Sequence, residues 1–204
     1  MGVANWDQKR VSSTALSIVE DPALDHVLQA VVASGGATKE GYLLYNGKTD
    51  FRDSEIKAQV KRVAQNVNDQ TAQVFVFRSD EAMNNAYLAE LCVSGDGSSN
   101  IKVRIEKYDA GVKSQLILSG NLQVVSDVWE YWRVRCWDVV FPASLVRFTF
   151  EKWNGATWDL IYQVDESTAF LLGVTGRSGV GFLAYNPNLA FTARVNDADL
   201  GHLA

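Results

Sequence analysis

The sequence predicts an all-β protein built as a sandwich of two antiparallel sheets. Apolar and polar residues alternate with a period of two in Trp132–Cys136 and again in Val146–Glu151, which is the pattern of a strand with one buried face. Turn residues recur roughly every 8 to 12 positions, a spacing typical of sandwiches. No stretch has the pattern of an ordinary helix, and no unit of roughly 20 to 50 residues repeats. Because each strand has one apolar face, two sheets must stack to bury these faces.

The first half of the chain divides into strands at its turn residues. Residues 1–13 form a polar lead-in, which is either an arm that grips a neighbour or a first strand, and residues 14–204 form one domain. Val74–Phe77 is apolar on both faces, so we expect it to be covered on two sides, whereas Ile101–Glu106 alternates and is predicted to be half exposed. The other strands predicted here are Thr14–Val19, His26–Ala33, Gly41–Tyr45, Phe51–Arg62, Tyr87–Val93 and Gln115–Leu118.

An aromatic block dominates the second half of the chain. Val128–Val164 carries five of the six tryptophans and is predicted to supply three successive strands. The third of these follows Asn154-Gly155, a dipeptide suited to the positive backbone angles of a tight hairpin turn. Burial of each large aromatic side chain contributes roughly 1.5 to 3 kcal/mol, so the tryptophans can anchor a core without a disulfide. The remaining predicted strands are Gly179–Tyr185 and Leu189–Val195, the latter ending at Asn196–Asp199.

Composition and charge exclude several classes of function. The formal net charge of -5 argues against the broad basic surface that nucleic acid requires, so we expect no nucleic-acid partner. No segment approaches the ~20 apolar residues of a membrane helix, and the N-terminal residues lack the apolar run of a signal peptide. We therefore expect no membrane insertion and no export signal. Cys92 and Cys136 are predicted to be buried free thiols, and two histidines are too few for an ordinary zinc site.

The order of the segments resembles that of a known superfamily over nearly the whole chain. The segments that carry the resemblance are DHVLQAVV, FRDSEIKAQVKR, QVFVFRSDEAMNNAYLAEL, IKVRIEKY, WEYWRVRCW, VRFTFEKWNGATWDL and GRSGVGFLAYNPNLAFTARVNDADL. Together they resemble the concanavalin A-like lectin/glucanase superfamily in its laminin-G-like branch. The resemblance implies a jelly-roll sandwich. It does not choose a function, because this superfamily includes lectins, carbohydrate-binding modules, glycoside hydrolases, lyases and viral appendage domains.

The catalytic motifs of the superfamily's enzymes are absent from the sequence. The hydrolases place two carboxylates on one strand in a Glu-x-Asp-x-Glu or Glu-x-Asp-x-x-Glu motif, a spacing that suits retaining glycoside cleavage. The nearest acidic pairs here are Asp53 with Glu55, Asp80 with Glu81, and Asp165 with Glu166, and none has a third acid or the strand context. The motifs of the alginate-lyase branch are missing as well. We therefore predict a protein that is not an enzyme.

The resemblance implies a binding surface of aromatic, amide and carboxylate side chains. Sugar rings stack on aromatic side chains, while amides and carboxylates bond to sugar hydroxyls. The alternative interpretation is that the aromatic candidates belong to the core or an edge and that the polar loop is only solvated. The ligand-binding candidates are Asp80, Asn84, Asn85 and Tyr87 at one polar loop, with Arg133 and Trp153 as partners.

The same resemblance suggests a cofactor near the last strand. The acidic segment Asn196–Asp199 is similar to the end of the last strand in relatives, where a structural calcium is sometimes held. Calcium takes six to eight oxygen ligands, of which Asp197 supplies at most two. Asp197 is therefore the candidate calcium ligand, and a surface turn is the alternative interpretation.

These observations lead to one hypothesis about setting and two alternatives. Domains of this fold usually act outside cells, and release by lysis reconciles that with the expected lack of an export signal. We predict a bacteriophage virion protein that decorates a capsid or forms part of a tail fibre or tail tip. Its partners would be other virion proteins, a second copy of itself, and surface glycans. The alternatives are a free carbohydrate-binding module or glucanase-like hydrolase with displaced carboxylates, and an intracellular bacterial scaffold.

Overall fold

The chain folds into two stacked antiparallel sheets, as the alternation in the sequence predicts. The computed structural model contains no helix in the residues it describes, so none there is long and apolar enough to span a membrane. The fold class predicted from sequence is confirmed. The described residues are 6–12, 14–21, 25–32, 38–64, 70–93, 100–124, 128–142, 144–168, 170–185 and 191–203.

The first sheet has eight strands, in the order β1-β4-β14-β6-β7-β8-β10, with β9 paired to β8. Its strands come from both halves of the chain, since β14 lies between β4 and β6. Part of the predicted lead-in is thus a strand that pairs with β4. The bounds are β1 Trp6–Ser12, β4 Lys39–Tyr45, β6 Gln70–Ser79, β7 Ala86–Val93, β8 Asn100–Asp109, β9 Val112–Leu118, β10 Gln123–Val124 and β14 Arg177–Tyr185.

The second sheet has seven strands, in the order β13-β12-β11-β5-β15-β3-β2. The aromatic block supplies β11, β12 and β13 as three neighbouring strands at one edge, and Gly155 has the predicted positive φ, at 102°. The last strand runs further than predicted and includes Asn196–Asp199, where its pairing with β5 shifts register. The bounds are β2 Thr14–Asp21, β3 Asp25–Val32, β5 Ser54–Ala64, β11 Glu130–Val139, β12 Leu145–Trp153, β13 Trp158–Glu166 and β15 Phe191–His202.

The main core lies between the two sheets. Trp132, Phe148 and Phe150 from the aromatic block are fully buried there against Phe75 and Phe182 from the first sheet. Each belongs to the apolar face of an alternating strand, so its burial could be predicted from the alternation alone. Cys92 and Cys136 are free and buried, as predicted, and burial raises the pKa of the Cys136 thiol to about 12. Side-chain packing, and not a disulfide, therefore stabilises the core.

The outer face of the first sheet is also buried, which corrects one prediction. Val74 and Val76 on β6 lie in a second apolar cluster, so the prediction that this strand is covered on both sides is confirmed. The prediction that β8 is half exposed is wrong, because Arg104 and Glu106 are only 5% and 4% exposed. Each has a partner inside the protein, because Arg104 contacts Glu90 and Glu106, and Lys113 contacts Glu106.

Candidate functional site

The polar loop between β6 and β7 uses its predicted site residues to hold its own turn. The Asp80 carboxylate accepts hydrogen bonds from the backbone N–H groups of Asn84 and Asn85, at 2.8 and 2.9 Å, and from the Asn85 side-chain amide at 2.8 Å. The Asn85 side-chain oxygen, Oδ1, accepts a further bond from the N–H of Ala110 in the next turn. These contacts close a tight connection, which is the role expected of Asx turns. The loop geometry favours a structural role for this trio.

Tyr87 lies in the core and its ring is not available for stacking on a ligand. The side chain is fully buried, with Phe148 and Phe170 edge-on to its ring at centroid distances of 5.2 and 5.8 Å. Its hydroxyl donates to Glu166 at 2.7 Å and accepts from the Leu171 N–H at 3.1 Å. Burial and the bond to Glu166 raise the tyrosine pKa. The assignment of Tyr87 to a sugar-stacking surface is therefore corrected: its aromatic ring packs inward with Ala89 and Leu91.

The outer face of the second sheet carries an aromatic platform formed by Tyr131, Trp153 and Trp158. Trp158 occupies its centre, with ring centroids of Trp153 and Tyr131 at 5.4 and 5.1 Å. The guanidinium of Arg133 lies over the Trp158 ring at 4.7 Å. Trp153 is 37% exposed, so the platform faces solvent. The structure thus brings the predicted residues Arg133 and Trp153 into one cluster and adds two aromatics that the prediction missed.

Alternation places these side chains on one face. In β11, Trp132 and Val134 point into the core, so Tyr131 and Arg133 point outward. The pairing register places the side chains of neighbouring strands on the same face, because Trp153 of β12 lies opposite Trp158 of β13. The signal that could have found Tyr131 and Trp158 is present in the sequence. Tyr131 is two positions before Arg133 and so points to the same side of the strand. Trp158 follows the hairpin turn that Trp153 precedes.

A charged ladder continues along this face from the platform. Glu151 is buried and accepts bonds from both Arg133 and Arg135, with the Arg133 Nε at 2.6 Å from its carboxylate. Arg135 also donates to the hydroxyl of Thr149 at 3.3 Å. Paired guanidinium and carboxylate groups hold one another in fixed orientations, and bidentate pairs do so best. The ladder therefore keeps the polar side chains beside the platform ordered.

A pocket of about 290 Å³ opens at the far end of the ladder. It is lined by Asp53, Arg135, Trp137 and Leu203, and Arg135 lies 5.6 Å from the ring centre of Trp137. The Leu203 N–H donates to the carbonyl of Asp53 at 2.9 Å, which closes one wall. Platform and pocket thus share one face and combine aromatic, cationic and anionic side chains.

A buried ion network lies behind the pocket. Arg78 is almost fully buried, and its Nη1 donates to Asp138 and to the carbonyl of Leu171, both at 2.7 Å. Burial of Asp138 opposes its ionisation, but hydrogen bonds from Arg52 and Arg78 outweigh that effect and lower its pKa. Arg78 also has a positive φ of 54°, which is rare for a residue with a side chain. The network fixes this end of the sandwich.

A second charged network lies on the buried outer face of the first sheet. Glu90 accepts from Arg104, while Lys113 approaches Glu106 at 3.0 Å and Glu40 at 3.5 Å. Burial raises the pKa of Glu90 well above its ordinary value, and Arg104 offsets this only in part. The side chain of Glu90 is fully buried, so this network presents no open carboxylate pair.

The structure does not place the predicted calcium ligand. Asp197 lies within β15 at the register shift, and its side chain is outside the described residues. Among the side chains that are described, no three of the kinds that ligate metals cluster together. The calcium at Asp197 stays a prediction.

Solved structures share this fold, although no protein-family pattern and no curated protein matches the sequence. The Ca2+/Man-bound exoplasmic/lumenal domain of VIP36 aligns with a TM-score of 0.61 and 12% identity, covering 97% of this chain and 83% of that one. The Bacillus subtilis carbohydrate-binding module CBM66 aligns with a TM-score of 0.52 and 13% identity, over 94% and 97% of the two chains. A Bacteroides ovatus GH16 protein of a mixed-linkage glucan locus, in complex with its product, gives 0.61 and 12%, over 97% and 94%. These likenesses establish a concanavalin A-like fold.

Proposed function

We propose that the chain is a non-catalytic carbohydrate-binding protein whose ligand lies on the outer face of the second sheet. The observation that carries this proposal is the solvent-facing platform of Tyr131, Trp153 and Trp158 with Arg133 stacked on its central ring. Clustered aromatics of this kind suit the apolar faces of sugar rings. The fold shared with VIP36, CBM66 and a GH16 protein supports the same class of ligand, because these structures are a mannose-bound form, a carbohydrate-binding module and a product complex of a glucan-locus protein.

The polar side chains beside the platform supply the directional bonds that a sugar needs. Arg133 and Arg135 are anchored by Glu151, so their remaining donors are held in place before any ligand arrives. Leu160 on the neighbouring strand is 57% exposed and extends the apolar surface. A face that combines ordered donors with aromatic and aliphatic surface fits a neutral or mixed glycan better than a purely charged ligand.

The carboxylates of the chain favour binding over hydrolysis. Glycoside hydrolysis needs two carboxyl groups that both reach the scissile bond. Glu90 is fully buried, while Asp165 is paired with Arg147 at 2.6 Å and Glu166 accepts bonds from Tyr87 and Thr168. Burial or pairing thus occupies these three acids, and the chain has no Glu-x-Asp-x-Glu strand to supply another catalytic pair. The glucanase-like alternative is therefore the less favoured one.

The setting that we propose is the surface of a bacteriophage particle, with host or environmental glycans as the ligands. The support for it comes from the sequence resemblance, because the superfamily includes viral appendage domains. No phage protein is among the three solved structures reported above. A homo-oligomer, attachment to other virion proteins and a calcium at Asp197 are further parts of this proposal, and a sizing run with and without calcium tests the first and the last.

Affinity electrophoresis through gels that contain soluble polysaccharides tests the proposed binding. The purified chain should be retarded in at least one gel, and Trp158→Ala should abolish the retardation because it removes the centre of the platform. Phe141→Ala is the matched control, since Phe141 is 88% exposed but lies in the turn after β11, away from the platform. Equal retardation of the Trp158→Ala variant and the parent chain would refute the location of the site.

A further inference from the structure

The pocket at the end of the ladder contains three polar groups that have no partner among the described residues. Both bonds to the Asp53 carboxylate use Oδ1, from the Asp138 N–H at 3.0 Å and Arg78 Nη2 at 3.4 Å, which leaves Oδ2 as an acceptor. Arg135 bonds within the protein through Nε and Nη2, which leaves Nη1 as a donor. Among the described residues the Trp137 indole N–H has no partner either. Groups of this kind around a small cavity indicate a ligand.

The walls of the pocket are rigid. Arg78 holds Asp53 and Asp138 from behind and bonds to the carbonyls of Arg52 and Leu171. The Arg78 backbone is held at φ 54°, and such strained positions concentrate where a site needs fixed geometry. The acceptor and donor of the pocket are therefore positioned in advance, which reduces the entropy that binding costs.

The pocket and the platform lie on one continuous strip. Tyr131, Arg133, Arg135 and Trp137 are successive outward residues of β11, so about 20 Å separates Tyr131 from Trp137 at the rise of an extended strand. The Arg133–Glu151–Arg135 ladder fills the interval. That length suits an oligosaccharide rather than a single sugar, with one end at the platform and the other at the pocket.

We infer that the pocket of Asp53, Arg135 and Trp137 binds the terminal ring of the glycan, and that this ring is uncharged. The inference rests on the proposed function. The pocket volume of about 290 Å³ admits one ring, and Trp137 offers an aromatic surface for it. Asp53 is paired with Arg78, and Arg135 is paired with Glu151, so the pocket offers no unpaired cation to an acidic sugar. Sugar hydroxyls can bond to the remaining oxygen of Asp53 and the remaining donor of Arg135, whereas an acidic sugar would be repelled by Asp53. The protein thus recognises the end of a chain.

Indole N–H resonances test this inference, because each tryptophan reports its own surroundings. The ¹⁵N-labelled chain is titrated with glucose, galactose, mannose and glucuronic acid, and then with cello-, manno- and galacto-oligosaccharides. Single Trp→Phe variants assign the peaks. A neutral monosaccharide should shift the Trp137 peak alone, an oligosaccharide should shift the peaks of Trp137, Trp153 and Trp158, and glucuronic acid should shift none of them.

Affinity measurements on Trp137→Ala complete the test. This variant should bind the oligosaccharide about tenfold more weakly, as expected for the loss of one aromatic stacking contact and one hydrogen bond. Unchanged remaining indole peaks would show that the variant is folded. A ligand that moves the Trp153 and Trp158 peaks but leaves the Trp137 peak in place would overturn the inference and leave the proposed function standing. If no probe moves any indole peak, both fail.

Discussion

The guanidinium of Arg133 lies 4.7 Å from the ring centre of Trp158 while its Nε donates to Glu151 at 2.6 Å. One side chain therefore joins the aromatic platform to the charged ladder. A planar guanidinium can stack on a ring and bond in its own plane at the same time, which an ammonium group cannot do. The relationship explains how the half-buried Trp158 keeps one orientation on the outer face of an edge strand.

Replacement of Arg133 by lysine should weaken glycan binding although the charge is kept. We expect an affinity about three- to tenfold lower, because the stacked guanidinium and its bond to Glu151 are both lost. Arg147→Lys is the matched control, since Arg147 pairs with Asp165 on the same face without contacting the platform. Titration calorimetry with the best oligosaccharide measures both. Equal losses in the two variants would show that the contacts of Arg133 with Trp158 and Glu151 have no special role in binding.

Removal of the Tyr87 hydroxyl should lower stability and leave binding unchanged. Tyr87→Phe deprives Glu166 of a donor and the Leu171 N–H of its acceptor inside the protein, at a cost of about 1 to 3 kcal/mol in the free energy of unfolding. Tyr162→Phe is the control, because its hydroxyl forms no bond among the described residues. Urea denaturation measures the difference. A selective loss of glycan affinity in Tyr87→Phe would show that Tyr87 belongs to the binding site.

Stability should fall as pH rises from about 5 to about 8, and Glu90 should be a main cause. Burial raises the pKa of Glu90 to about 8 in the folded chain, and the ordinary value is 4.5. The folded state then binds the proton more tightly than the unfolded state, so its advantage is complete below pH 4.5 and is lost as pH rises towards 8. Melting temperatures of Glu90→Gln should vary less over this interval.

A carboxyl with the opposite shift provides the control for that pH series. The hydrogen bond from Arg147 lowers the pKa of Asp165, so its contribution is present above pH 3.8 and is lost only at lower pH. Asp165→Asn should therefore retain the parent's change in melting temperature between pH 5 and 8. A flattened profile in this variant, or an unflattened one in Glu90→Gln, would contradict the assignment.

Substitution of Gly155 should disturb the platform through its hairpin. Gly155 has a φ of 102°, which a residue with a side chain adopts only with strain, so Gly155→Ala should lower the free energy of unfolding by about 1 kcal/mol. It should also weaken glycan binding, because Trp153 and Trp158 flank this turn. Gly120→Ala is the control, with no atom within 4 Å of the added methyl group. Identical behaviour of the two variants would exclude strain as the cause.

The sequence predicted the layered fold better than it predicted the site, for a physical reason. Alternation shows that a strand has two faces, and the apolar face of β11 or β12 could be read without its neighbours. It does not show what covers the other face. Arg104 and Glu106 therefore seemed half exposed, and both faces of β7 are apolar enough that the inward direction of Tyr87 was hidden. These details depend on which strands are neighbours.

The site residues show the same limit. Arg133 and Trp153 were predicted as partners of a loop that the structure uses to close its own turn. Their actual neighbours, Tyr131 and Trp158, are set by the pairing of β12 with β11 and β13. The pocket could not be predicted either, since Asp53 meets Arg135 and Trp137 only after β5 pairs with β11. The outer face of the second sheet is formed by the pairing register between strands that are distant in the chain, and a single sequence does not reveal that register.

A glycan array probed with the parent chain and with a Trp153→Ala, Trp158→Ala double variant tests whether the aromatic platform binds carbohydrate. The array is run with and without calcium, which also examines the predicted ligand Asp197. We expect the parent chain to bind a set of neutral oligosaccharides and the double variant, folded and of the same oligomeric state, to bind none of them. Binding by both proteins would show that the site lies outside the platform. A blank array for the parent chain would contradict carbohydrate binding itself.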